Sequence, residues 1–421
     1  MLTVRSQALE GNPNQGSSRI ERRAIALFIP ILGFGTHSSQ KNLAALMKGE
    51  YPSMNQQESR FRREKSRTFT RMRQEPTETF IERPGEPLMT LLLRGYLRPR
   101  RNDTSLHCRR TLAQFTYRTL ESTQERDDNQ VMLKWSRKHR HDINSSKYPL
   151  LMVDQLWLWI LDDKDNTVVT CCPDSDSDHP TTNDSLLYHM RARLKSKNSR
   201  PLIQSGLELA NLIIKCSVTF LRRQGPLHAS LQETFETSIN EISNELSQQF
   251  KSFQELVKRL DAKKKITQRE KLKLTDKLFE LTKETALVSN IMDIQNELKT
   301  IRSVFLAQQE AIRQFRELAP MFSSCSTSAE TNQPKKKKAM RKPLRENQVK
   351  DNVKLIKSNI EAVDELARDA ENIHRELNNL LDLKQKLANV WEARFARIGT
   401  EQARRQGNVR RILIQFKLYY Q

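Results

Sequence analysis

Between Leu287 and Phe305 the apolar residues step by four and three: Leu287, Ile291, Ile294, Leu298, Ile301 and Phe305, with Ile312 and Phe315 continuing toward Pro320. A repeat near 3.5 residues puts one narrow apolar seam on a long helix, and such a seam is buried against another helix. A second ladder supplies one: Val353, Ile356, Ile360, Val363, Ala367, Ala370, His374, Leu377 and Leu381. The helix expected from about Gln348 to Arg405 is ~85 Å long at 1.5 Å per residue. Gly399 and Gly407 are its weak points. The stretch 321–345 is rich in Ser, Pro and Lys, too polar to pack, and reads as a flexible connection between antiparallel helices.

Ahead of these helices the apolar period is different. Leu150–Val153 and Leu156–Leu161 are strand-like in length and content, and Leu156, Leu158 and Ile160 alternate with Trp157, Trp159 and Leu161. A strand apolar on both sides is expected to be interior and covered on both faces. Asp162–Asn166 supplies turn residues and Thr167–Cys172 returns as a second strand, making a hairpin. The segment Leu207–Leu221 carries Leu207, Ala210, Ile214, Val218 and Leu221 on one stripe and reads as a buried helix. Residues 1–98, rich in Ser, Gln, Arg and Pro, read as a basic, mostly disordered segment. The divisions expected are therefore 1–98, a mixed domain over 99–260, long helices over 261–319, a basic linker over 320–346, and a final helix over 347–421.

Charge narrows the partners without choosing one. The 421 residues hold 72 Lys plus Arg against 50 Asp plus Glu, a net charge of +22. Such an excess favours phosphate-rich surfaces, whether nucleic acid or anionic lipid. Eleven glycines and five cysteines exclude collagenous and disulfide-scaffold classes. Cys108, Cys171, Cys172, Cys216 and Cys325 form no C-x-x-C pair, and a reducing compartment is the simpler reading. The apolar runs Ala24–Gly35, interrupted by Pro30, and Ile412–Tyr420, interrupted by Gln415 and Lys417, are both shorter than the roughly 18–20 residues a bilayer requires. As written, the chain is expected to be cytoplasmic and without a secretory signal.

Searching for chemistry yields little. No phosphate-cradling loop, H-E-x-x-H helix or G-x-S-x-G elbow is present, and Gly33-Phe34-Gly35 lacks the third glycine of a dinucleotide fingerprint. Asp174, Asp176, Asp178 and His179 alternate like the start of a calcium loop, but His179 stands where the turn glycine belongs and Ser185 where the closing bidentate acid belongs. His139 and His141 have no acid or Cys partner at ligand spacing and read as surface histidines. His374 falls on the seam as a partnered core histidine, and Trp391 reads as packing. Two basic blocks remain. Arg60, Arg62, Arg63, Lys65, Arg67, Arg71 and Arg73 surround Glu64, with Phe61 and Phe69 available to stack on bases. Lys335–Lys338 with Arg341 and Lys342 resembles an import signal or a headgroup contact. Each block also reads as a solvated charge run. No catalytic residue and no metal ligand is nominated, and the chain is not expected to be an enzyme.

Several segments, in order, resemble one family. They are Arg109-Arg110-Thr111-Leu112-x-Gln114-Phe115, Arg126-Asp127-x-x-Gln130-Val131 and Met152-Val153-Asp154-Gln155-Leu156-Trp157-Leu158-Trp159-Ile160-Leu161. The series continues at Asp293-Ile294-x-x-Glu297-Leu298, Ile301–Phe305, Leu380–Lys386 and Ala388–Arg397. Together they resemble the cytosolic part of CorA-like magnesium transporters of filamentous fungi, over about Cys108 to Gly407. The resemblance implies an α+β chain, with an α/β/α cytosolic domain around a central sheet leading into a long, coiled-coil-like stalk. It also implies a pentamer, Mg²⁺ held between cytosolic domains that keeps the pore shut, and a Gly-Met-Asn pore motif. This sequence departs from that pattern after Gly407, where Asn408-Val409-Arg410-Arg411 follows, and no Gly-Met-Asn occurs. The expectation is a Mg²⁺ sensor domain and stalk truncated before the pore, not conducting alone. It would associate with itself or with intact relatives, and with a membrane if full length. The alternative is a helical scaffold that binds nucleic acid through its basic clusters.

Overall fold

The computed structural model describes residues 24–36, 109–117, 119–120, 122–139, 148–161, 167–172, 186–196, 201, 203–223, 229–261, 267–324 and 346–419. It is an α+β chain with a small antiparallel sheet and long helices. The strands are β1 (Ala24–Thr36), β2 (Arg110–Thr111), β3 (Pro149–Leu161) and β4 (Val168–Cys171). Short helices α1 (Leu112–Thr116), α2 (Gln124–Asp128) and α3 (Val131–His139) lie between β2 and β3 in the chain. Helices α4 (Leu186–Lys195) and α5 (Gly206–Val218) follow β4. The remainder is helical: α6 (Leu231–Asp261), α7 (Gln268–Phe279), α8 (Thr282–Ser324) and α9 (Glu346–Tyr419). The chain divides into two compact units, Met1–Leu231 with Ser303–Ile360, and Gln232–Arg302 with Glu361–Gln421.

In the first unit β3 is central, paired with β1 along one side and with β2 and β4 on the other. The expected hairpin is present: β3 and β4 pair antiparallel, with Trp157 opposite Cys171 and Trp159 opposite Val169. The partner on β3's other side comes from the stretch 1–98, read from sequence as mostly disordered: within it Ala24–Thr36 is a 13-residue strand, and the rest of that stretch lies outside the described residues. The apolar run Ala24–Gly35 was weighed only as a membrane span, for which it is too short. Proline survives there because β1 is an edge strand with only β3 beside it, so its missing N–H breaks no second ladder. The Pro30 carbonyl instead accepts a 2.9 Å bond from Gln308 Nε2 of α8. The rest of 37–108, including the Arg60–Arg73 cluster, lies outside the described residues, as do Asp174–Ser185, His141 and Lys335–Lys342.

The expectation that β3 is covered on both faces holds for half of it. Leu150, Leu151, Met152 and Val153 are all buried, whichever way they point. Farther along, Leu156, Leu158 and Ile160 are buried with Ile25, Leu27, Ile29 and Ile31 of β1, while Trp157, Trp159 and Leu161 are only half-buried. Phe28 stands edge-on to Trp157 and Trp159, at ring-centroid distances of 5.6 and 6.2 Å. The rings shield one another in place of a covering helix. Helix α5 packs against β1, β3 and β4 and is buried almost all round, as its composition predicts. Each fully buried large apolar side chain of this layer contributes about 1.5–3 kcal/mol.

The second unit is helical. Lys384 of α9 meets Glu284 of α8, His374 and Glu371 meet Gln295, and Asp364 meets Arg302. Partner numbers fall along one helix as they rise along the other, so α8 and α9 run antiparallel, as the intervening polar stretch suggested. Trp391 is packed with Leu260 of α6 and Leu278 of α7, in agreement with its reading as a core residue. Two boundaries need correction. Helix α8 continues through Pro320 to Ser324, and α9 continues beyond Arg405 through both Gly399 and Gly407 to Tyr419.

Candidate functional site

The three N-terminal motif segments converge on β3, and each does a structural job. Asp154 faces the β1 backbone, where Arg109 closes a double bridge, Nε to Oδ1 at 2.8 Å and Nη2 to Oδ2 at 3.1 Å. The same Nη2 donates to the Phe34 carbonyl at 2.7 Å. Only 4% of the Asp154 side chain is exposed, so this pair is largely out of water. It explains Gly33: a β-carbon there would collide with the Asp154 carboxylate. At Gly35 a β-carbon would press on Met152. Gly33-Phe34-Gly35 is therefore a close-approach strand, and no nucleotide loop is formed.

Thr111 and Gln114 form a capping box that starts α1, each side chain taking the other's backbone N–H at 3.1 Å. Gln130 extends the sheet with its side chain: Nε2 donates to the Leu151 carbonyl at 3.2 Å, and Oε1 accepts the Leu151 N–H at 2.9 Å. Arg126 lies 4.3 Å from the centroid of the Tyr117 ring. These residues anchor the fold at the β1–β3 pair.

The seam of α9 holds the polar chemistry that sequence reading missed. Apart from Ala362 and Trp391, its buried positions among the described residues are Asn352, Ile356, Asn359, Val363, Leu366, Ala370, Ile373, Leu377, Leu380 and Lys384. They step four and three without a break. The ladder read from sequence shares Ile356, Val363, Ala370 and Leu377, but Val353, Ile360, Ala367, His374 and Leu381 stand one position off the stripe and are half-buried. Polar Asn352 and Asn359 occupy true seam positions and were passed over for apolar neighbours, and the step of seven begun at Val353 and Ile360 carried the same offset past Leu366, Ile373 and Leu380. The series Leu366, Ile373 and Leu380 was the available signal, since stepping back by seven lands on both asparagines.

Each polar seam residue has a partner. In the first unit Asn352 Nδ2 donates to Asn211 Oδ1 at 2.8 Å, and Asn359 Nδ2 donates to the Val218 carbonyl at the end of α5 at 2.7 Å. In the second unit Lys384 Nζ lies 2.6 Å from Glu284 Oε1 and 3.0 Å from the Glu280 carbonyl. The two side chains are 7% and 2% exposed. A charge pair so far from water is expensive to form and more expensive to break. His374, beside the seam, sits 3.1 Å from Gln295 Oε1 through Nδ1.

The remaining nominated residues find ordinary surroundings. His139 is exposed, stacked 4.6 Å from Trp135 with Nδ1 2.9 Å from that residue's carbonyl. An open groove of about 680 Å³ on α9 is lined by Glu361, Asp364, Ala367, Arg368 and Glu371. Two of its three carboxylates are engaged: Arg302 Nε donates to Asp364 at 2.6 Å, and Gln295 Nε2 to Glu371 at 2.9 Å. No group of three His, Cys, Asp or Glu able to hold a metal occurs among the described residues. Cys171, Cys172 and Cys216 are free thiols, and burial pushes the Cys216 thiol up. His189 is lowered to about 4 by burial and by the nearby Arg223 and Arg193 cations, and its Nε2 has no hydrogen-bond partner among the described residues. No helix among the described residues is long and apolar enough to cross a membrane. Comparison with known proteins leaves the chain without a match: no family model and no curated protein matches it.

Proposed function

We propose that this chain belongs to a CorA-like divalent-cation transporter, supplying the Mg²⁺-responsive cytosolic domain and the stalk. The finer architecture in this reading is an α/β/α domain built on β1–β4, continued by α8 and α9 as the stalk. The observation that carries it is the convergence of the motif segments. Arg109, Gln130 and Asp154 come from the three separate N-terminal segments behind the resemblance and meet on one strand. The later segments fall on α8 and α9, where Lys384 lies inside Leu380–Lys386. Mg²⁺ keeps much of its hydration shell, so acids at a subunit seam would sense it weakly and reversibly. No residue is assigned as its ligand.

The test is sedimentation velocity of the purified chain in chelator and in millimolar Mg²⁺, alone and mixed with an intact CorA-like subunit. Self-association or mixed assembly that strengthens with Mg²⁺ is the expected result. A monomer indifferent to Mg²⁺ that ignores the intact subunit overturns the reading. A nucleic-acid-binding scaffold would instead show tight association with RNA or DNA that falls steeply with salt.

A further inference from the structure

Trp391 is the last buried residue of α9 among those whose burial is described, and the helix continues to Tyr419. From Glu392 to Arg411 every residue whose burial is described is exposed. This stretch holds six arginines, Arg394, Arg397, Arg404, Arg405, Arg410 and Arg411, against Glu392 and Glu401, with no lysine and no aspartate. At about 100° per residue, five of the six arginines fall within an arc of about 120°, and only Arg410 lies outside it. Glu401 sits within the arc but is paired 3.1 Å from Arg405, on side chains that are 62% and 79% exposed. The two glycines, Gly399 and Gly407, fall outside the arc, and a β-carbon at either would meet nothing within 4 Å. Neither is explained by packing within the chain.

We propose that this arginine face docks on an anionic phospholipid surface, lying along it through headgroup phosphates. Charge complementarity sets the chemistry, because guanidinium groups bind phosphate oxygens in pairs and cannot lose their proton. Geometry selects the plane. A helix about 10–12 Å across fills a duplex major groove of similar width and meets phosphates on both flanks. A flat surface touches about a third of its circumference, which is the arc these arginines occupy. Their row is ~26 Å long at 1.5 Å per residue, so a straight helix presents all five at once.

The experiment is flotation of the full chain, in chelator, with vesicles of phosphatidylcholine alone or with about 30% phosphatidylserine, at low and moderate salt. Chelator removes Mg²⁺, so failure here is separate from failure of the transporter reading. The wild-type chain is expected to float only with the anionic vesicles, less so as salt rises. Each arginine at such a surface is worth roughly a factor of five, so changing Arg394, Arg397, Arg404, Arg405 and Arg411 to Gln lowers binding by at least about a hundredfold. Glutamine keeps the helix, which circular dichroism verifies. Changing Lys335, Lys336, Lys337, Lys338 and Lys342 to Gln removes the same charge and should cost no more than about fivefold. Wild-type binding by the five-arginine variant, an equal loss in the lysine variant, or equal binding to neutral vesicles overturns the proposal. So does tighter binding to a 20-base-pair duplex that the arginine variant loses, which would assign the face to nucleic acid.

Discussion

One helix, α9, meets two different environments, and its seam changes chemistry between them. In the first unit its polar seam residues are neutral amides, and Asn352 and Asn359 bond to groups on α5 that the α-helix leaves short of partners or that sit beside it. In the second unit the same stripe carries a full charge pair, Lys384 with Glu284. An amide satisfies a carbonyl at modest desolvation cost, whereas an ammonium in an apolar seam is tolerable only while its carboxylate stays in place. Both devices fix register. Shifting α9 by one turn would strand an asparagine in one unit and a lysine in the other.

The comparison breaks most severely at the ion pair. Glu284→Leu leaves the Lys384 ammonium buried beside a single carbonyl and should destabilise the second unit by about 3–5 kcal/mol in urea unfolding. The double change Glu284→Leu with Lys384→Leu should recover most of that loss; a double variant as unstable as the single one would show that the charge pair is not the cause. In the first unit Gly33→Ala forces a methyl against the Asp154 carboxylate and should cost about 2–3 kcal/mol, read by the same titration. A neutral effect there would mean that the Arg109–Asp154 bridge relocates freely. Asn359→Leu leaves the Val218 carbonyl unsatisfied, a loss of about 1–2 kcal/mol, smaller than the charged case in the other unit. Should it match Glu284→Leu, the distinction between amide and ion pair fails.

Acidification separates the units in another way. His189 has a folded pKa of about 4 against an ordinary 6.5. Its contribution is complete above pH 6.5 and is lost as pH falls toward 4, because the unfolded chain takes up the proton first. The ring is half-exposed, so solvent screening holds the effect to about 1 kcal/mol. His189→Gln should flatten stability between pH 6.5 and 4, which thermal melts across that window would measure. The smallest change expected is a gain. Gly407→Ala, on a helix with open space around it, should add about 0.5–1 kcal/mol of local helix stability, visible as slower amide exchange over the end of α9.

How much of this was legible in advance depended on polarity more than on length. The α8 ladder was read correctly at its apolar positions, while the buried Glu284 and Gln308 on the same stripe were passed over. On α9 the reading slipped by one position at Asn352 and Asn359, and the same shifted heptad then passed over the apolar Leu366, Ile373 and Leu380 as well. Strand β3 and its hairpin were plain from alternation, whereas β1 was missed because its apolar run was weighed only as a membrane span, and its partner β3 lies more than 100 residues away in the chain. Arg109, Gln130 and Asp154 were noticed as parts of motifs, but their work as anchors was not. Sequence alone showed three residues far apart along the chain; what joins them is a bidentate bridge and a borrowed strand bond.

By itself the amino-acid order determined that two long helices must pair, that an apolar strand lies ahead of them, and that the chain carries a net charge of +22. Apolar period and net charge are local sums, and each can be read without knowing what lies opposite. Only the tertiary structure decided which polar groups belong inside, that Lys384 and the two asparagines are seam residues, and that the aromatic face of β3 stays half open. Burial of a polar group depends on its partner, and partners from distant parts of the chain meet only once the chain has folded.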